Sequence, residues 1–253
     1  MRRNVLRPLT IVMATLLALA GSRPVQAQAD SSAALHEMRW GRTTFVASEV
    51  LEYLPSGADR PIVYDLVGWS GGASHRLWAK ADGQLATGKG ESGGAYQLLY
   101  GRMVSPYWDA QIGARADVQR DEHGTASRIG ATVGLQGLAP GWFELEPSLF
   151  ISTTGDVSLD LTASYDVYVT QRLVLQPRLE GSASFSDVPE FGVGSGLSEG
   201  AFALRARYEF RREFAPYAGV VWERRFGSTA DLARAAGSEV GRASLVLGLR
   251  LWH

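Results

Sequence analysis

Imidazole and thioether side chains are the softest metal ligands in this sequence, which has four His, four Met and no Cys. The lack of Cys excludes thiolate sites and disulfides. Met1 and Met13 lie in an N-terminal apolar stretch. His36 and Met38 stand at i, i+2 in HEMRWG, so an extended chain puts both on one side. Such a pair suits a soft cation, held weakly by two ligands. His75, at an expected tight turn, and Met103, at an expected strand end near the same rim, are candidates to converge with it. His123, in RDEHGTAS, and the terminal His253 receive no role. Ser74 beside His75 suggests a nucleophile and base. Adjacent strand residues point to opposite faces, however, and HExxH, GxSxG and phosphate-cradling Gly loops are absent. We therefore expect no enzyme.

The second constellation is charged. Asp109, Arg115, Glu144, Glu146, Asp160, Arg178, Glu180, Arg205, Arg207, Glu209, Glu223 and Arg225 all fall on the polar side of alternating segments. Carboxylates lining a cavity could form a cation path, with Arg setting its width and field. Arg–carboxylate ladders could equally fill and stiffen the interior. We take the structural reading, because like numbers of both signs cancel a selective field. The cations are almost all Arg, Lys80 and Lys89 being the only lysines, and Arg suits fixed bidentate pairing. With 25 basic and 26 acidic residues there is no basic surplus for a nucleic-acid partner.

The elements that position these residues read as strands. In TQRLVLQPRLEGSASF (170–185), apolar or small residues occupy every second place from Leu173, against Arg178 and Glu180. Alternating segments recur near 44–53, 61–68, 75–84, 95–103, 108–119, 127–138, 143–152, 157–168, 172–184, 199–210, 215–226 and 242–252. That gives about twelve strands, within a range of ten to fourteen by pattern. Tight connections at 104–107, 139–142, 169–171 and 211–214 alternate with longer ones at 83–94, 120–127, 186–198 and 227–241, and only 153–156 departs from the trend. This predicts an all-β, antiparallel up-and-down transmembrane β-barrel with both termini periplasmic. The apolar faces would meet lipid, with aromatics such as Trp108, Trp142, Phe143, Tyr208, Phe210 and Trp222 near the strand ends. STADLARAA in the last loop predicts a short helix. Pro147 and Pro177 sit inside strands, where a missing N–H predicts a bulge or break.

Arg2, Arg3 and Arg7 precede the apolar run Leu9–Ala20, and Val25-Gln26-Ala27 is a small-x-small cleavage site. We therefore expect a signal peptide at 1–27, a periplasmic linker at 28–42 and a barrel at 43–253, placed in a Gram-negative outer membrane.

Several long phrases resemble the copper resistance protein B family of bacterial outer-membrane proteins. They are GLQGLAPGWFELEPSLFIS (134–152), YDVYVTQRLVLQPRLE (165–180), GVGSGLSE (192–199), RYEFRREFAPYAGVVWERRFG (207–227) and TADLAR (229–234). SHRLWAKADG (74–83) and SPYWDAQIGARAD (105–117) extend the match. The resemblance implies an outer-membrane barrel that binds periplasmic copper ions or assists their export. It implies outer-membrane lipid, copper ions and a periplasmic copper-binding or multicopper oxidase protein as partners. It also implies a Met- and His-rich stretch ahead of the barrel, where this sequence offers only His36 and Met38. The alternative is a generic solute channel or structural barrel without a metal role.

Overall fold

The computed structural model describes residues 42–55, 60–87, 90–120 and 124–253. The expected signal peptide, the expected linker up to residue 41 with His36 and Met38, and His123 lie outside the described residues.

Thirteen strand segments follow one another: β1 (Thr43–Tyr53), β2 (Ile62–Gly71), β3 (His75–Leu85), β4 (Ser92–Ser105), β5 (Trp108–Arg120), β6 (Thr125–Ala139), β7 (Phe143–Ser152), β8 (Val157–Ser164), β9 (Val167–Tyr168), β10 (Leu173–Ser184), β11 (Gly196–Tyr208), β12 (Phe214–Arg225) and β13 (Gly241–Trp252). Neighbours pair antiparallel, and β13 returns to pair with β1, which closes the sheet into a barrel. Segments β8 and β9 both pair with β10 and form one interrupted stave, so the ring has twelve staves. The stretch read as one strand over 157–168 is thus two.

The interruption has a cause in the sequence. Tyr165 and Asp166 leave the ladder beside Gln176 and Pro177, and Tyr165 N–H donates to the Pro177 carbonyl at 3.1 Å. A ring nitrogen cannot donate back, so the ladder lapses there. Pro147 acts alike: β6–β7 pairing lapses between Gly134↔Ser148 and Gly137↔Leu145. Register is unchanged across both gaps, so these are breaks and not bulges. True irregularities fall away from the prolines, at Ser48/Val50 in β1, Met103/Ser105 in β4 and Ser182/Ala183 in β10.

The connections at 72–74, 106–107, 140–142, 169–172 and 209–213 gather at one rim with Thr43 and His253. The opposite ends of the strands, with the connections at 153–156, 185–195 and 226–240, gather at the other. The last contains α1 (Gly227–Ala235), the helix expected in STADLARAA.

The apolar side chains are outside. Leu98, Ile112, Ile129, Leu179, Leu245 and Leu247 are each more than half exposed, whereas Glu52 and Arg207 are 2% exposed. A soluble sandwich would reverse this. Exposed Tyr107, Trp142, Phe143, Tyr168, Tyr208, Phe210 and Phe214 ring the turn rim, as aromatic residues do at a lipid–water boundary. Strands such as β2 and β7, of ten residues each, meet the ~9–11 needed to cross hydrocarbon.

Candidate functional site

Among the described residues, polar groups converge in the bore. Period-two alternation carries every second residue of each stave inward, and the register aligns them. Across the β2–β3 pair Asp65 meets Asp82, and across β4–β5 and β5–β6 Asp117 aligns with Ala95 and Arg128.

The inward charges form struts. Arg205 Nε and Nη2 donate to the two Glu52 oxygens at 2.6 and 3.3 Å, linking β11 to β1. Arg207 bonds Asp166 at 2.7 Å and Glu209 at 3.3 Å. Arg178 reaches from β10 to Asp65 on β2 at 2.7 Å, nearly across the ring, and bonds Glu180 at 2.6 Å. Arg115 bridges Asp117 (2.7 Å) and Asp160 (2.6 Å), and Arg128 shares Asp117 at 2.7 Å. Lys80 on β3 donates to Glu146 on β7 and to Gln111, and Gln111 continues to Gln136. Arg76 bonds Asp109 at 2.5 Å and lies over Trp69. Arg250 pairs with Glu49 at 2.9 Å.

All twelve charges read from the sequence therefore stand on the bore side. Two of them do so at the loop-rim mouth: Glu223 with Arg242, and Arg225 with Glu199, in exposed pairs. The sequence reading missed Glu49, Glu52, Asp65, Arg76, Lys80, Asp82, Arg128 and Arg250, four acids and four bases. Asp82 has no ion pair or hydrogen bond among the described residues, and Glu144 has only the Ser164 hydroxyl at 3.2 Å. Asp82 is exposed although it points inward, so its carboxylate opens onto space within the bore.

Toward the turn rim the same wall is apolar. Ala47, Val67, Trp78 and Leu99 pack together with Phe45 and Trp69, and Phe45 stands 6.3 Å from the Trp252 ring.

The soft-ligand candidates do not meet. His75 shares the outward face with Tyr100, whose hydroxyl is 2.5 Å from its Nδ1. Met103 aligns with Asp109, on the bore face. The two thus stand at one rim but on opposite sides of the wall, because Met103 lies three positions beyond Tyr100 along β4 and an odd offset reverses the face. No group of three His, Cys, Asp or Glu side chains with metal-holding geometry occurs among the described residues. Ser74 lies in the 72–74 turn and offers its carbonyl to Met103 N–H at 3.0 Å.

Comparison with known proteins agrees with the resemblance seen in the sequence. The family described as copper resistance protein B precursor (CopB) matches residues 42–253. The copper resistance protein B homolog of Pseudomonas syringae pv. tomato is 39% identical over 209 residues, covering 83% of this chain and 69% of that protein. Copper resistance protein B of Escherichia coli is 38% identical over 207 residues, covering 82% and 68%. Among solved structures, the NanC porin aligns with a TM-score of 0.49 at 11% identity, over 83% of this chain and 99% of that one. Matched from the first stave to the last residue, the chain belongs to the copper resistance protein B family.

Proposed function

We propose that this barrel sits in the outer membrane and confers copper tolerance by letting periplasmic copper ions enter and cross its bore, outward from the turn rim. Family membership supports the copper role. The observation favouring passage over storage is Asp82, a carboxylate open to the bore with no cation partner. Oxygen ligands attract a divalent cation without the tight hold of clustered thioethers or imidazoles. A cleaved leader would bring the chain to the periplasm, and a periplasmic copper-binding protein would deliver the ion.

The cross-bore struts favour a second reading, a stiff barrel without a conducting role. A deletion strain and a bilayer recording separate the two. Under the copper reading, loss of the gene lowers copper tolerance, Asp82→Asn complements poorly, and conductance changes on adding copper. Unchanged tolerance in the deletion strain, together with no copper retention above a control barrel, overturns it.

A further inference from the structure

The loop-rim mouth is not an open ring. The loop 185–195 between β10 and β11 folds inward and reaches β6, three staves away. There Phe191 lies 4.7 Å from the Arg128 guanidinium. Arg128 is held ready for it. Its Nε bonds Asp117 at 2.7 Å, and its guanidinium also lies 5.1 Å from the ring of Phe150, which is fully buried and carries Arg115 at 4.9 Å. A guanidinium within reach of two rings gains from each.

The loop is braced from behind as well. Ser195 N–H donates to Asp187 at 2.7 Å, and Val188 bridges Val193, so the loop is a closed unit. Gly194 N–H donates to the Thr229 hydroxyl at 2.9 Å, and Thr229, on α1, is 1% exposed. Gly194 is pressed so close to α1 that a Cβ there would stand 2.4 Å from that of Ser228. The helix itself packs on β11 through the buried Ala230 and Ala233.

We propose that the β10–β11 loop, braced on α1, is a lid over the outer mouth, and that the Phe191–Arg128 contact is the clasp that opens. This concerns access to the bore whichever ion crosses it. Losing the clasp should shift the open-to-closed ratio about tenfold.

The absence of Cys makes a direct test available. Ser182, in register with Asp160 and Glu199, faces the bore beneath the lid. In the full chain folded in detergent, Ser182→Cys is labelled with a charged maleimide. Labelling should be slow, become about tenfold faster with Phe191→Ala, and stay slow with Phe191→Tyr, which keeps the ring. Gly194→Val, which pries the loop from α1, should also speed it. Entry from the turn rim is common to all these proteins, so the difference reports the lid. If Phe191→Ala labels at the parent rate, or if Ser182→Cys alone labels as fast as Ser238→Cys in the outer loop, the proposal is overturned. Heat-modifiable migration on gels confirms that each variant is folded, and the Phe191→Ala comparison decides the matter if Gly194→Val is not.

Discussion

Glu52 and Arg205 are the most deeply enclosed opposite charges in the barrel, with side chains 2% and 6% exposed. The pair is worth little against a packed apolar one, but an orphaned partner is costly. Glu52→Ala should therefore lower stability by about 3–5 kcal/mol. Arg242→Ala, which breaks an exposed pair at the mouth, should cost below about 1 kcal/mol. Denaturant unfolding in micelles measures both, and equal losses would refute the distinction. Glu52 was not legible in the sequence, for a physical reason. The irregularity between Ser48 and Val50 puts Ala47, Val50 and Glu52 on one side, so a count of two loses phase along β1. In β2 and β3 the signal fails differently. Val67, Trp69 and Trp78 share the bore with Asp65, Lys80 and Asp82, so inside and outside are both partly apolar. From β5 onward the sequence placed most of the bore charges, although Arg128 and Arg250 went unread, in a wall that also carries buried apolar residues such as Phe150, Val174 and Val246.

At the scale of the element, Tyr217 shows how one stave leans on the next. Its ring crosses Gly248 on β13, and its hydroxyl accepts from Leu51 N–H on β1 at 3.3 Å. A Cβ at position 248 would meet that ring at 2.3–2.5 Å. Gly248→Ala should cost about 1–3 kcal/mol by overpacking. Adding Tyr217→Ala should recover part of the loss, a coupling that a double-mutant cycle reads directly. The short turn Thr153–Asp156 depends on its own hydroxyls. Thr154 and Ser152 donate to Asp156 at 2.6 and 2.9 Å, which holds that carboxyl below the usual carboxylate range. The contribution is thus present above the unfolded value of about 4 and is lost only as pH falls below it, through the depressed folded value. Amide exchange in the turn should stay slow down to about pH 4 and quicken under it, and a midpoint at or above the free carboxyl value would contradict this. The proline breaks were legible because they follow from one missing donor. That they would leave register intact was not, since register is held by the pairing on either side of the gap.

For the whole molecule, closure and inside-out polarity were readable. The short-long loop rhythm and the two faces each depend on local pattern. The lid was not readable, because Phe191 and Arg128 are 63 residues apart in number and only the closed ring brings their staves near. The net character of the bore also emerges only here. Asp82 and Glu144 lack a cation partner, so the passage should prefer cations. In a Phe191→Ala background, the reversal potential in a salt gradient should show cation preference, reduced by Asp82→Asn with Glu144→Gln. Anion preference in the parent barrel would count against a path for metal ions.

The joint between the first and last staves differs from the others. There β1 and β13 align only at Ala47–Ser48 and at Glu52–Tyr53, with the ladder slipping between, and His253 ties its backbone to Val46 in both directions at 2.8 and 2.9 Å. The barrel therefore has a seam, fastened at the turn rim by the His253 backbone. Strain in the wall should concentrate there. A chain shortened by even its last two residues would lose the fastening, and the ring would unzip upward from the turn rim before any other stave parted.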